Sequence, residues 1–538
     1  MKLTKYFLTL AGIALLASCS NDKVLDQSGV NPLNNGEAFV SIAITVPAGT
    51  RVDTEQDANG ESNILNGRIL LFRKLGSELT STFLKSASLE DVANSSNWTT
   101  KKENGIEQTS KTVTARFEDL PEDVDFYGLV ILNATDEFTD PSYGQTFESW
   151  STTALNNMAY DYTVAVKTST DSKKGYTMTN APVWANNNVT SLVSLSKSNF
   201  KDNKEDAEKS PVTFYVQRVV AKVRLDSQFP SSIDVKGFYG ETNGDKVSMT
   251  KWGLDITNKS TFPVQVVDKL SSYFTTSHFY QEFGTNLYGR FYWAIDPNYG
   301  SGSSSDFNLA SSDNDLGDVT ASSTIYCLEN TFDHENQNQN VSTRVIFKGS
   351  YIVKGEEEAV SFFRIGNTLY TETLLNEQIS LEDEKTISFV SELPDGGKEV
   401  KLSDIIDNSD EKSLEAVKDY LGITDKDAEV SFYKNGECYY TAVIRHFTDE
   451  DTKWSEYEDI FKTKGEYTDE QLGRFGVLRN NIYNIAINSV TGPGLPAFPD
   501  APDDENPEPN DSMTKEYYIS LDINVMQWAV RTHSYDLK

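Results

Sequence analysis

Two residues near the start of the chain have the types and surroundings needed for covalent processing. Cys19 closes the run Leu16-Ala17-Ser18-Cys19. Ahead of it lie a positive segment with Lys2 and Lys5 and an apolar stretch from Phe7 to Leu16. That stretch is too short for a permanent span, and small residues before a cysteine suit a signal-peptidase groove. The pattern resembles a lipobox, in which the thiol accepts a lipid on export. Arg51 is the first arginine in the chain and opens the acidic, turn-prone run "RVDTEQDANGESN". A trypsin-like protease needs an arginine in an exposed loop, and the composition here predicts one. A cut after Arg51 makes Val52 the new N-terminus. The next arginine, Arg68 in "NGRILLF", sits in a strand-like run and is expected to be protected.

No other constellation nominates chemistry. His278, His334, His446 and His533 lie far apart, and no cysteine or histidine spacing suits zinc. There is no G-x-S-x-G elbow and no P-loop. Acidic residues are too numerous for any two to be singled out as a glycosidase pair. The run "DENPEPND" lacks the glycine-centred spacing of a calcium loop. The expectation is therefore no catalytic residue, no metal, no cofactor and no enzyme. Cys327 and Cys438 stand in strand-like contexts, either paired after export or kept as buried thiols. A formal charge of −33 repels phosphate backbones and anionic headgroups, so nucleic acid is not an expected partner.

The elements that would position the two processing residues are strands. The chain has 26 Tyr and 28 Phe with recurring Val/Ile/Thr runs, which favours β structure, and its 538 residues exceed one ordinary core. Before Arg51, "GEAFVSIAITVP" puts Ala38, Val40, Ile42, Ile44 and Val46 on one face, a half-buried strand ended by Pro47. "KTVTARFEDLPEDVDFYGLVILNA" reads as two strands joined at Leu120-Pro121, the second buried on both faces from Phe126 to Leu132. Phe147–Met158 reads as a short helix covering a sheet edge. Residues 409–423 read as a helix with Leu414, Val417 and Leu421 on one face. "SGSSSDFNLASSDNDLGD" reads as a long exposed loop. "AEVSFYKNGECYYTAVIRHF" reads as a hairpin turning at Asn435-Gly436. A boundary is expected near Asp226.

The last residues repeat the pattern of the first strand. Tyr517, Ile519, Leu521, Ile523 and Val525 alternate with Ser520, Asp522 and Asn524. Trp528 and Val530 then switch parity, which predicts a bulge near Met526–Gln527. A Pro- and acid-rich run from 492 to 515 precedes them and reads as a tether.

Several segments together resemble the Bacteroidales type V fimbrillins, most of all the shaft subunit of the short (minor) fimbria. They are the LASC tetrad, "SIAITVPAGTR", "LPEDVDFYGLVILNA", "VQRVVAKVRL", "RNNIYNIAINSVTGPG" and "INVMQWAVRTHSYDL". The likeness spans the chain and is dense at its two ends. It implies an all-β fold with minor helices, as two tandem transthyretin-like β-sandwich domains. It implies a signal peptide at 1–18 and a propeptide at 19–51 carrying the lipid on Cys19 and a removable first strand. Sandwich domains at 52–225 and 226–491, a linker at 492–515 and a donor strand at 516–538 follow. An arginine-specific protease would cut at the position of Arg51. The emptied groove would then take the last strand of another copy by donor-strand complementation. The expected partners are other copies, accessory anchor and tip subunits, and host or bacterial surface ligands. The expected location is a cell-surface fimbria, with a precursor lipid-anchored at the outer membrane of a Gram-negative cell. Ser512, in Asp511-Ser512-Met513, resembles a short Bacteroidales O-glycosylation motif. The competing readings are a tip adhesin or surface lipoprotein that binds glycans or host ligands, an anchor subunit, and a last segment that merely completes its own domain.

Overall fold

The computed structural model of the protein describes residues 37–47, 63–93, 99–155, 166–236, 242–374, 430–452, 468–499 and 518–527, with a few short breaks inside those spans. The helix expected at 409–423 lies outside them. The described residues are mostly β-strand with a few short helices, as the sequence predicts.

The first half holds β1 (Glu37–Pro47), β2 (Gly67–Arg73), β3 (Thr82–Glu90), β4 (Thr99–Glu103), β5 (Ile106–Glu118) and β6 (Phe126–Leu132). After α1 (Phe147–Ser151) come the short strands β7 (Val166–Thr168), β8 (Lys174–Tyr176), β9 (Met178–Asn180), β10 (Val183–Ala185), β11 (Asn188–Thr190) and β12 (Val193–Leu195). Helix α2 (Lys204–Glu208) and β13 (Val212–Arg218) end it. One face orders β4 and β3 beside β5, then β1, then the start of β13. The other runs from the end of β13 through β9, β6 and β2 to β3. Because β3 and β13 pass from one face to the other, the two faces form a closed sandwich. Strand β6 is central and buried on both sides. Val130 and Leu132 face the interior with Ile69 and Leu71. Leu129 and Ile131 face an outer cluster capped by Phe147 and Trp150 of α1. The helix therefore covers a face, not an edge, and it starts where Thr146 accepts the Ser149 N–H.

The second half holds β14 (Val220–Leu225), β15 (Ile233–Lys236), β16 (Thr242–Asp255), β17 (Thr257–Asn258), β18 (Tyr280–Phe283), β19 (Tyr288–Phe291), β20 (Phe307–Asn308) and β21 (Gly317–Asp318). Then come β22 (Thr324–Leu328), β23 (Arg344–Ile352), β24 (Phe362–Ile365), β25 (Thr368–Thr371), β26 (Val430–Tyr433), β27 (Glu437–Val443), β28 (Asn481–Thr491) and β29 (Tyr518–Gln527). One face orders β22, β14 and β28, with β29 on the far side of β28; the other orders β15, β16, β23 and β27. The core between them includes Trp252, Phe347, Tyr351 and Tyr483.

Four further expectations are corrected. The chain changes sandwich at Val219, earlier than Asp226, because "VQRVVAKVRL" is one apolar run without a turn residue. Asn435 and Gly436 do adopt left-handed backbone, with φ of 52° and 71°. Yet β26 pairs with β24 and β27 with β23, so the turn joins two sheets and closes no hairpin. The loop at 301–318 is partly packed: Phe307 and Leu316 are buried and β20 pairs with β17. Residues 492–499 are held to the second sandwich. Leu495 exchanges backbone bonds with Tyr439, and Tyr433 and Tyr440 donate their hydroxyls to the carbonyls of Gly494 and Gly492, each at 2.8 Å.

Cys327 and Cys438 are unpaired and buried, and burial pushes both thiols up to about 12. They are inert packing residues at neutral pH.

Candidate assembly site

Strand β1 fills the gap between β5 and β13. It runs antiparallel to β5 along its whole length, from Glu37 opposite Glu118 to Pro47 opposite Gln108. It runs parallel to β13 from Ile42 opposite Val212 to Thr45 opposite Tyr215. Ala38, Val40, Ile42 and Ile44 are at most 1% exposed, so the alternation read from the sequence is the alternation of burial. Val46 continues the ladder opposite Thr109.

The walls of this slot come from Val113, Ala115 and Phe117 on β5 and Phe214 on β13, with Phe200 at one end. Sequence reasoning did not name them as site residues. The signal was present in the alternation of "KTVTARFE" and "PVTFYV", but nothing local says which strand they flank. Further ties hold β1. Phe39 exchanges backbone bonds with Lys201 at 2.7 and 2.8 Å, and Ser41 donates to the Val113 carbonyl at 3.3 Å. Glu37 pairs with Arg116 at the open end, where exposure makes the pair weak. Helix α2 packs over β1 and β5 with Ala207 buried beneath it.

No other described strand bridges β5 to β13 on this face. Removing β1 would strip ladder partners from one edge of β5 and from residues 212–215 of β13 and would open four apolar pockets. Both effects are costly, so such a groove favours any strand of matching pattern.

At the other end of the chain, β29 lies antiparallel on β28. Ile519, Leu521, Ile523 and Val525 stand opposite Val490, Ile487, Ile485 and Tyr483, all four of them buried. The ladder has one irregularity, and it is on β28, between Ile487 and Ser489. On β29 the register runs evenly through Met526 to Gln527, the last described residue. Tyr517, Trp528 and Val530 lie outside the described residues, as do Cys19, Arg51, Val52 and Ser512. In this single chain β29 therefore pairs with its own second sandwich, and β1 with its own first.

These features define an all-β protein built of two sandwiches, in which the first described strand, β1, lies between β5 and β13 and the last described strand, β29, lies along β28. Residues 431–534 match the family model described as major fimbrial subunit protein type IV, fimbrillin, C-terminal. This stretch of the chain is thus similar to the C-terminal region of fimbrillins, the family of fimbrial subunits that the sequence resemblance pointed to. That model is of type IV and the resemblance was to type V, so the agreement is at the level of fimbrillin. A solved structure similar to the chain is a fimbrial assembly protein from Parabacteroides distasonis ATCC 8503. It is 15% identical, the match covers 60% of this chain and 84% of that one, and the TM-score is 0.29. No curated protein matches.

Proposed function

We propose that the protein is a non-catalytic shaft subunit of a cell-surface fimbria, exported as a precursor lipidated on Cys19. Cleavage after Arg51 by an arginine-specific protease breaks the covalent link between the body and the segment that carries the lipid and β1. The last strand of another copy then displaces β1 from its slot. The observation that carries this reading is the place of β1: it alone joins β5 to β13 among the described strands, it buries four alternating side chains, and it ends four residues before Arg51. Strand β29 repeats that alternation with Ile519, Leu521, Ile523 and Val525. Among the described strands of its own chain it has one ladder neighbour, β28, where β1 has two. Burying five or six such side chains contributes on the order of 8–15 kcal/mol gross, partly offset by ordering the tether.

The tip-adhesin reading asks for an exposed aromatic platform in the middle of the chain. Among the described residues the large exposed apolar side chains are Leu75, Tyr143 and Leu309, scattered singly. Phe274, Phe279, Phe291 and Trp293 pack into a buried cluster instead. That arrangement favours the shaft role.

The test is to treat the purified precursor with an arginine-specific protease, sequence the new N-terminus and view the product by electron microscopy. Val52 as first residue, together with filaments, is the expected result. A cut protein that stays monomeric at high concentration overturns the shaft role.

A further inference from the structure

The two sandwiches share one arrangement. In the first, β1 is antiparallel to β5 and parallel to β13. In the second, β14 is antiparallel to β22 and parallel to β28, with Lys222 opposite Ile482 through Leu225 opposite Ile485. Strand β14 thus stands in the second sandwich where β1 stands in the first. The chain passes from β13 to β14 through Val219 alone, and Val219 is 1% exposed.

From this we infer that the subunit contains a shear clamp: two parallel strand pairs in series, β1 with β13 and β14 with β28, joined through a locked one-residue splice at Val219. The occupant of the β1 slot, if pulled from its N-terminal end, drags against β13, which is held from its C-terminal end by Val219. Parallel strands pulled from opposite ends slide, and every ladder bond is loaded at once. The same holds one step on. Strand β14 is held from its N-terminal end, and β28 leaves toward residue 492 from its C-terminal end. In a zipper geometry the bonds would instead break one by one at lower force.

The splice is reinforced on both sides. Glu329 directly follows β22, whose Leu328 pairs with Val220, and Arg479 nearly adjoins β28. Their side chains meet in a fully buried ion pair, with Arg479 Nε donating to Glu329 at 2.8 Å. Asn480 donates its backbone N–H to the Val220 carbonyl at 2.7 Å, and Arg290 donates to the Asn480 carbonyl. The ion pair therefore ties β22 to β28 across the start of β14. Residues 492–499 add a strap to β27 through Leu495 and Tyr439.

For the filament, the inference rests on the proposed donor-strand shaft. A donor carried on a tether at its own N-terminal end would be pulled as β1 is pulled, provided it enters parallel to β13. The clamp itself is a property of the precursor and is tested there. Single precursor molecules are stretched between handles at Gly36 and Asp500, which load both pairs in shear. A second set carries handles at Gly36 and Ser210, which peel β1 from β13 at their shared N-terminal ends. The expected rupture force is at least about twofold higher in the first geometry, since forced unfolding reads the barrier along the pulled direction. Glu329→Gln is expected to lower the force in the first geometry and leave the second unchanged. Equal forces in the two geometries for the unsubstituted protein overturn the clamp. An equal loss in both for Glu329→Gln overturns the role of the splice. Filament formation by the protease-cut protein is scored separately by electron microscopy, and its absence would sink the shaft reading without touching the precursor result.

Discussion

Arg479 donates from Nε to the Glu329 carboxylate at 2.8 Å, and neither side chain has any exposure to solvent. Arg479 also donates to Thr261 Oγ1 at 3.0 Å and to the Phe262 carbonyl at 3.1 Å. Removing one member of a buried pair leaves the other charge without its counter-ion in a medium that cannot solvate it. Glu329→Ala is expected to lose about 3–5 kcal/mol in urea unfolding. Glu329→Leu with Arg479→Met is expected to lose clearly less, because no charge is stranded, though Thr261 and Phe262 lose a donor. A double variant no better than Glu329→Ala would reject this account.

Ile42 is fully buried between β5 and β13, so the precursor and the filament are expected to respond differently to its loss. Ile42→Ala leaves a cavity and should cost the precursor about 2–5 kcal/mol in thermal or urea unfolding. In the proposed shaft β1 is gone, so filaments grown from this variant should resist heat and detergent as the unsubstituted ones do. Leu521→Ala should do the reverse and weaken the filament joint. Filaments weakened by Ile42→Ala would show that β1 stays in place.

What was legible in the sequence was local. The alternation of "AFVSIAITV" gave β1 and its buried face, and the unbroken apolar run of β6 gave a strand buried on both sides. Helix α1 was legible at its start, Phe147, but the helix covers a face and not an edge. Three misreadings have a common cause. Asn435-Gly436 supplies left-handed backbone that a hairpin and a corner use equally well. Val219 carries no punctuation because the strand does not stop where the sandwich changes. The Pro/Gly run after Thr491 looks like free tether, yet Tyr433, Tyr439 and Tyr440 bind it from far upstream. The Glu329–Arg479 pair is separated by 150 residues, and neither residue's neighbours announce it. Pairing between distant strands is set by the whole topology, which periodicity alone does not encode.

Glu78 is the buried acid at the seam between the sandwiches, beside Val264, Gln265 and Asp268. Burial raises its pKa to about 7 from 4.5, outweighing the N–H donors of Ser191 and Leu192, which lower it; the Asp268 charge adds to the rise. The folded protein therefore holds a proton that the unfolded chain releases between about pH 4.5 and pH 7. This contribution to stability is full below the unfolded pKa and is lost as pH rises through the folded one. Glu78→Gln cannot titrate. Relative to it, the unsubstituted protein is expected to lose on the order of 1–3 kcal/mol between pH 5 and pH 8. A stability difference that stays flat over this range would mean that Glu78 does not change charge there.

Gly494 fixes where the chain leaves the second sandwich. Its φ is +67°, and a Cβ at this position would run into the Tyr439 carbonyl oxygen. Gly494→Ala is expected to cost more than about 1 kcal/mol, since the native backbone suits only glycine. It should also release the strap. Hydrogen exchange at the Leu495 and Tyr439 amides reads this directly. Faster exchange at both, with the amides of β23 unchanged, is the expected pattern, and unchanged protection at Leu495 would refute it.

Cleavage after Arg51 alone should not empty the slot. Strand β1 keeps two ladders and four fully buried side chains, on the order of 5–10 kcal/mol of gross burial, whether or not the chain is intact beyond Pro47. The cut removes the covalent link, and with it the high local concentration that returns a displaced strand. An incoming strand can then compete one pocket at a time, so that the exposed groove is never paid in full. The expected behaviour is slow spontaneous loss of the fragment ending at Arg51, accelerated by a synthetic peptide of residues 516–538 in proportion to its concentration. Mass spectrometry of the released fragment follows both rates. Arg51→Ala should keep the fragment attached, and the peptide should then fail to bind. Release at the same rate with and without peptide would mean that the slot empties first and fills later, and that the matching alternation of the two strands plays no part in the exchange.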